Sequence, residues 1–216
     1  MHQFYNYLTY RWQHLLGLML EHVVVVVVSV AIATVIAMAI GFLVYRTRRP
    51  AEIALATANV FMTVPSFALF SLLIPVLGLG YPPTVVALVM YALLPILRNT
   101  ITGLRGVDAA VTESARGMGM SSLQTLLRVE LPLAWPVILT GVRVSTLIVL
   151  GIAAIAAYVN GPGLGKPIFS GLARLGTARG LDLALGGTLG IVILAILFDL
   201  VLSFLTWLTT PRGLHG

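Results

Sequence analysis

Cysteine is absent from these 216 residues, which excludes disulfides and thiolate chemistry and leaves the redox compartment unmarked. Charge is scarce. Only 9% of residues are Asp, Glu, Lys or Arg, against about 25% in a soluble domain. That is too little to cover a water-facing surface. An apolar fraction of 59% and a mean hydropathy of +1.02 also exceed what one soluble core of this length could hide. The surrounding medium must be lipid. Acidic residues are the scarcer sign, seven against thirteen basic ones. The net charge of +6 does not point to nucleic acid, because no basic stripe with interleaved aromatics runs along the chain. Catalytic signatures are lacking too: there is no nucleophile elbow and no HExxH motif. The four histidines, at 2, 14, 22 and 215, have no metal-ligand spacing. Gly161-Pro-Gly-Leu-Gly165-Lys166-Pro167 fails as a phosphate loop: its glycines are one residue too close, and Pro167 replaces the required Ser or Thr. The chain is expected to be a non-catalytic membrane protein with no metal or cofactor of its own.

What is present is long apolar runs. The first, residues 23–45, opens on six consecutive valines. An open strand in lipid would leave its backbone unpaired, so a helix is predicted despite the β-branched composition. Its 23 charge-free residues exceed the 7–15 of a signal-peptide core, which argues against a cleavable signal. From Ile53 to Leu97 no charge occurs for 45 residues, too long for one span of about 20. Gly78-Leu-Gly-Tyr-Pro-Pro83 divides it into a second span at 53–77 and a third running from Pro83 toward Arg98 and Asn99. Further spans are predicted at 133–158 and 183–208. The expected architecture is all-α, a polytopic bundle of five transmembrane helices. Residues 1–22 are expected as an external interfacial segment, with Phe4, Tyr5, Tyr7, Tyr10 and Trp12 on a short surface helix, and residues 209–216 as a tail.

Arginine placement predicts orientation. One set of loops carries Arg46, Arg48, Arg49, Arg98, Arg105, Arg116, Arg128 and Arg212; the other carries Arg11, Lys166, Arg174 and Arg179. The positive-inside rule puts the first set in the cytoplasm, the N-terminus outside and the C-terminus inside, in a plasma membrane.

The polar stretch at 106–132 is the most informative. Asp108 suits the N-cap of a helix whose Val111, Ala115 and Met118 share a face. Gly117 and Gly119 can end it, and Ser121 with Gln124 three residues on forms a capping box for a second helix. Pro132 is expected to delimit that helix by disfavouring helical geometry at Leu131. Two short helices joined by a glycine elbow would suit insertion into a partner's groove.

This segment resembles the "EAA" loop of ABC-importer permeases, whose pattern is E-A-A, three residues, G, nine residues, I, any residue, L-P. Here it reads Glu113-Ser114-Ala115, then Gly119, then Val129, Glu130 and Leu131-Pro132, with Ser114 and Val129 as the departures. Residues 91–108, Asn59-Val-Phe-Met-Thr-Val-Pro-Ser66, Ile74-Pro-Val-Leu-Gly-Leu-Gly80 and Gly161-Pro-Gly-Leu-Gly165 are similar to the osmoprotectant branch, which imports glycine betaine, choline or carnitine. The resemblance implies a type I ABC-importer permease fold and half of a translocation pore. It implies coupling through Glu113, Ser114, Ala115, Gly117, Gly119, Leu131 and Pro132. The implied partners are two ATP-binding subunits that hold the ATP and Mg, a second permease subunit, identical or homologous, and an external substrate-binding protein.

Arg143 and Asp199 are ionisable groups inside spans, toward the cytoplasmic ends, and are expected to lie close together as a pair. Tyr91, Tyr158, Phe61 and Phe67 could line a cation path, although ordinary packing explains them as well. Two other readings stand beside the main one. An ABC permease for another small solute, such as an amino acid, would share every feature above. An ion-coupled secondary transporter would call for inverted repeats and more buried charge.

Overall fold

The computed structural model describes residues 2–209, and among them every regular element is helical. The predicted tail, with Arg212 and His215, lies outside the described residues, as do the side chains of Phe4 and Tyr5.

Helix α1, His2–Val44, is one unbroken helix of 43 residues. At 1.5 Å per residue it is about 64 Å long, twice the hydrocarbon thickness of a bilayer. The short surface helix expected before residue 23 is therefore not separate. No Gly-Pro pair or capping residue interrupts the helix there, and the aromatic segment continues the axis of the span.

The second predicted span is two helices. Helix α2, Arg48–Thr63, and helix α3, Ser66–Leu77, are bent by 97° at Val64-Pro65. Pro65 supplies the reason: it has no amide hydrogen and drives Val64 to an extended ψ of 127°. Non-helical backbone at membrane depth must find partners within protein. Here the Tyr91 hydroxyl donates to the Val64 carbonyl at 2.6 Å.

Helix α4, Tyr81–Arg105, extends the third span beyond Arg98 by two turns. It is the centre of the bundle: 67% of its apolar window is buried, against 11% for helix α9, Ala178–Thr209. Along α4, Ala87, Leu88, Tyr91, Ala92 and Leu97 meet Val26, Val30, Ala33 and Ala37 of α1 and Ala134, Ile138 and Val149 of the fourth span in one core. That fourth span, helix α7, is Leu131–Ile155 with a 3₁₀ turn over Ala156–Val159. Before it come helix α5, Ala109–Gly117, and the short α6, Ser122–Thr125. Helix α8, Gly165–Leu172, packs on α9 at the opposite end.

Two polar constructions pin the ends of this bundle. At one end, Arg105 donates to the Tyr45 carbonyl at 2.7 Å and to the Thr47 carbonyl at 3.1 Å, closing the C-terminus of α1 with the end of α4. At the other, His22 is fully buried and bridges three elements. Its Nε2 lies 3.1 Å from the Leu150 carbonyl, and its Nδ1 lies 3.3 Å from the Leu164 amide. A carbonyl can only accept and an amide N–H can only donate, so the ring is neutral with its proton on Nε2. Glu21 beside it accepts from Gly163 N–H at 3.1 Å and from Lys166 at 3.0 Å. Gly163 has φ +101°, and a β-carbon there would lie 2.6 Å from His22 Nδ1. The Gly161–Lys166 run is thus a tether holding its loop onto α1.

Candidate functional site: the elbow of residues 106–132

The elbow is assembled almost entirely from short-range contacts. Asp108 Oδ1 accepts from Ala110 N–H at 2.8 Å, capping α5. Ser114 turns its hydroxyl back onto the Ala110 carbonyl at 2.7 Å, and Ala115 is buried as the anchor of the helix. Gly117 is the last residue of α5, and the left-handed position belongs to Gly119, φ +85°. Gly119 N–H bonds to the Arg116 carbonyl at 2.9 Å, and Met120 N–H bonds to the Ala115 carbonyl at 3.2 Å. These two bonds form a Schellman motif, which requires a residue that tolerates positive φ.

The second arm opens on the predicted capping box. Gln124 N–H donates to Ser121 Oγ at 3.3 Å, and Ser121 N–H donates to Gln124 Oε1 at 2.8 Å. Beyond the box the chain departs from the sequence-based expectation. Pro132 does not end this arm. Leu131 is helical, φ −63° and ψ −47°, and the chain runs from α6 through a π turn, Leu126–Glu130, straight into α7. A proline ring clashes with the carbonyl four residues earlier in a regular α-helix. In the widened turn Leu131 N–H reaches back to the Leu126 carbonyl instead, which relieves that clash and leaves Pro132 at the first turn of α7, where no amide is needed. One arm of the elbow is consequently the end of a transmembrane helix.

The π turn also positions Glu130, which the motif leaves unspecified. Glu130 is buried, accepts from the Tyr45 hydroxyl, and meets Arg46 Nη2 at 3.4 Å. Arg46 Nε in turn donates to the Tyr45 oxygen at 2.6 Å. The elbow is thereby tied to the end of α1. Its only sequence signal is a carboxylate two residues before a proline, at the edge of an apolar run. Arg46, Arg48 and Arg116 line a common cavity, so these members of the larger arginine set share one end of the bundle.

The outer surface of the elbow is unusually apolar for a loop. Met118, Leu123, Leu127 and Val111 are exposed, and an open cleft of about 340 Å³ lies between α5 and Val129, lined by Ala110, Val111, Ser114, Ala115 and Met118. Glu113, Gly117 and Gly119 are exposed, and a β-carbon at either glycine would meet nothing within 4 Å among the described residues. Exposed apolar side chains around an unpartnered carboxylate describe a docking surface better than a free one.

Away from the elbow, the structure brings Arg143 and Asp199 together. Nε donates to Oδ1 at 2.6 Å and Nη2 donates to Oδ2 at 2.7 Å, a bidentate pair joining α7 to α9. Arg143 lies midway along α7, and Asp199 in the last third of α9. Of the aromatic residues, Phe67 stands edge-on to Tyr158 at 5.3 Å and to Phe169 at 6.4 Å, while Tyr91 is engaged at the helix break.

Residues 29–212 match the family model described as "Binding-protein-dependent transport system inner membrane component". This chain belongs to that family. It is an inner-membrane, multi-pass permease component, and the ion-coupled alternative is set aside. Among its relatives, the glycine betaine/carnitine/choline transport system permease protein OpuCB of Bacillus subtilis (strain 168) is 38% identical over 91% of this chain and 88% of the relative. The choline transport system permease protein OpuBB of the same organism is 37% identical over 100% and 97%. The carnitine transport permease protein OpuCB of Listeria monocytogenes is 39% identical over 98% and 91%. The fold, a type I ABC-importer permease, matches a chain of the inward-facing MetNI methionine ABC transporter with a TM-score of 0.80, at 22% identity over 93% of this chain and 97% of that one.

Proposed function

We propose that this chain forms half of the pore of an ATP-driven importer for quaternary-ammonium osmoprotectants such as glycine betaine, choline or carnitine. The substrate class rests on what its relatives carry, since three of them at 37–39% identity are named for these solutes. ATP and Mg belong to two ATP-binding subunits, an identical or homologous permease completes the pore, and an external binding protein delivers the solute. The N-terminus faces outward and the C-terminus the cytoplasm, following the arginine distribution.

The single observation that carries the coupling role is the continuity of the second elbow arm with α7 through the π turn. ATP hydrolysis in another chain can move this subunit only by contact. A stiff, capped elbow prolonging a transmembrane helix converts displacement at the docking surface into movement within the bundle. In this reading Glu113, Ser114, Ala115, Gly117 and Gly119 form the surface and turn seated in the ATPase, while Leu131 and Pro132 join the arm to the span.

The test is co-purification with the ATPase in mild detergent, followed by solute-stimulated ATP hydrolysis and uptake in vesicles. Glu113→Ala is expected to leave membrane insertion and solute capture intact and to weaken hydrolysis and uptake together. Wild-type coupling in that variant, or a complex that assembles without the elbow contacting the ATPase, would sink the assignment.

A further inference from the structure

The end of the bundle that carries the elbow holds a cavity of about 480 Å³ whose charged lining is Arg46, Arg48, Arg105, Arg116 and Glu130. It lies between the ends of α1 and α4 on one side and the Ala109, Thr112 and Arg116 face of α5 on the other. Charge in and around it is unbalanced. Glu130 is taken up by Tyr45 and Arg46, and Glu52 pairs with Arg48 at 2.9 Å. Arg105 spends its hydrogen bonds on the neutral carbonyls of Tyr45 and Thr47, which leave its charge uncompensated. Arg116 is exposed and has no ion pair within the chain among the described residues. Four guanidiniums therefore line the cavity with one carboxylate, Glu130, which is already engaged.

We propose that this cavity binds the phosphate headgroup of an anionic phospholipid. Its position selects that source over a soluble phosphate. One wall is formed where the apolar runs of α1 and α4 end, which is where the headgroup layer begins beyond the hydrocarbon. Guanidiniums bind phosphodiester oxygens in a paired, directional fashion and carry little hydration to lose. A lipid held here would brace α5 against the span ends, opposite the apolar surface that the coupling role gives to the ATPase. The apolar cleft of the coupling role is lined on α5 by Ala110, Val111, Ser114 and Ala115, none of which lines this cavity, so either assignment can fail alone.

The test uses the permease with its ATPase, reconstituted in nanodiscs of phosphatidylglycerol and phosphatidylcholine and then transferred to mild detergent for native mass spectrometry. Phosphatidylglycerol is expected to stay bound in preference. Arg116→Gln should cut its retention roughly fivefold, the effect of one basic residue at an anionic surface. Arg48→Gln with Arg116→Gln should cut it further, at an unchanged thermal midpoint. Arg116→Lys, which keeps charge without the planar fork, should retain part of the binding and supplies the comparison should the glutamine variant assemble poorly. Equal retention of phosphatidylcholine, or retention insensitive to Arg116, overturns the proposal. Inorganic phosphate titrated into the same complex provides the soluble arm: Arg116-dependent phosphate binding without retained phosphatidylglycerol overturns the lipid source. Retention seen only after the ATPase is removed assigns the cavity to acidic side chains of that partner, and overturns it too.

Discussion

The two ends of this bundle are built on opposite principles. Within the elbow itself the shaping bonds close over two to five residues, Asp108 to Ala110, Gly119 to Arg116, Met120 to Ala115 and Ser121 to Gln124, while its tie to α1, from Glu130 to Tyr45 and Arg46, is long-range. At the opposite end they span most of the chain, from His22 to Leu150 and Leu164 and from Glu21 to Gly163 and Lys166, with separations of 128 to 145 residues. The elbow is therefore a locally encoded part that holds its shape while its outer surface stays free for a partner. The far end is a knot that exists only once the helices have packed. The coupling role proposed for the elbow would need the first property, and an anchor against which a helix can move would need the second.

The largest effect is expected at the knot. His22→Leu leaves the Leu164 amide without its buried acceptor, costing about 1–3 kcal/mol, and removes the second donor from the Leu150 carbonyl inside α7. The thermal midpoint of the detergent-solubilised complex should fall well below that of any elbow variant. An unchanged midpoint would show that the knot is not what holds this end together.

Between the two ends, Asp199→Asn strips Arg143 of its counter-charge. Lower yield of assembled complex is expected, together with recovery in the exchange variant Arg143→Asp with Asp199→Arg. Failure of the exchange to recover anything would mean that the pair acts through its orientation on the pore and not through mutual neutralisation.

Gly119→Val comes next. Among the described residues nothing lies near enough to clash with a β-carbon there, so the cost is backbone strain of about 1–3 kcal/mol. Folding should survive and uptake should be lost. Gly119→Asn sharpens the point, since asparagine tolerates positive φ. Recovered uptake identifies the turn as the requirement, whereas continued loss identifies the bulk at the docking surface.

The smallest effect belongs to Ser121→Ala, a lost cap of about 1 kcal/mol. Local hydrogen-exchange protection of residues 122–125 should drop with little change in overall stability. A fall in global stability comparable to that of His22→Leu would erase the distinction between the ends.

Legibility followed the same division. Both caps of the elbow and the glycine turn could be read from residue order, because their partners lie within one helical turn. The apolar runs likewise marked the four helices long and apolar enough to cross a membrane, α1, α4, α7 and α9. The break in the second span was written at Pro65 but was hidden inside a charge-free run, where hydropathy cannot distinguish a bent helix from a straight one. Leu131-Pro132 misled in the other direction: proline usually stops a helix, and only the π turn, which shares its composition with an ordinary α turn, let this one continue. Neither Glu130, at an unspecified position of the motif, nor His22, without metal-ligand spacing, gave a sign in residue order that it is a buried tie to a distant element.

By itself the sequence determined the medium, the helical class, the four long apolar helices and the caps of the elbow, since hydropathy and capping act over one element or one turn. Tertiary packing alone decided that α4 is the centre of the bundle and that Glu130 and His22 find their partners. Each of those outcomes depends on bringing together helices far apart in the chain, and residue order carries no term for that.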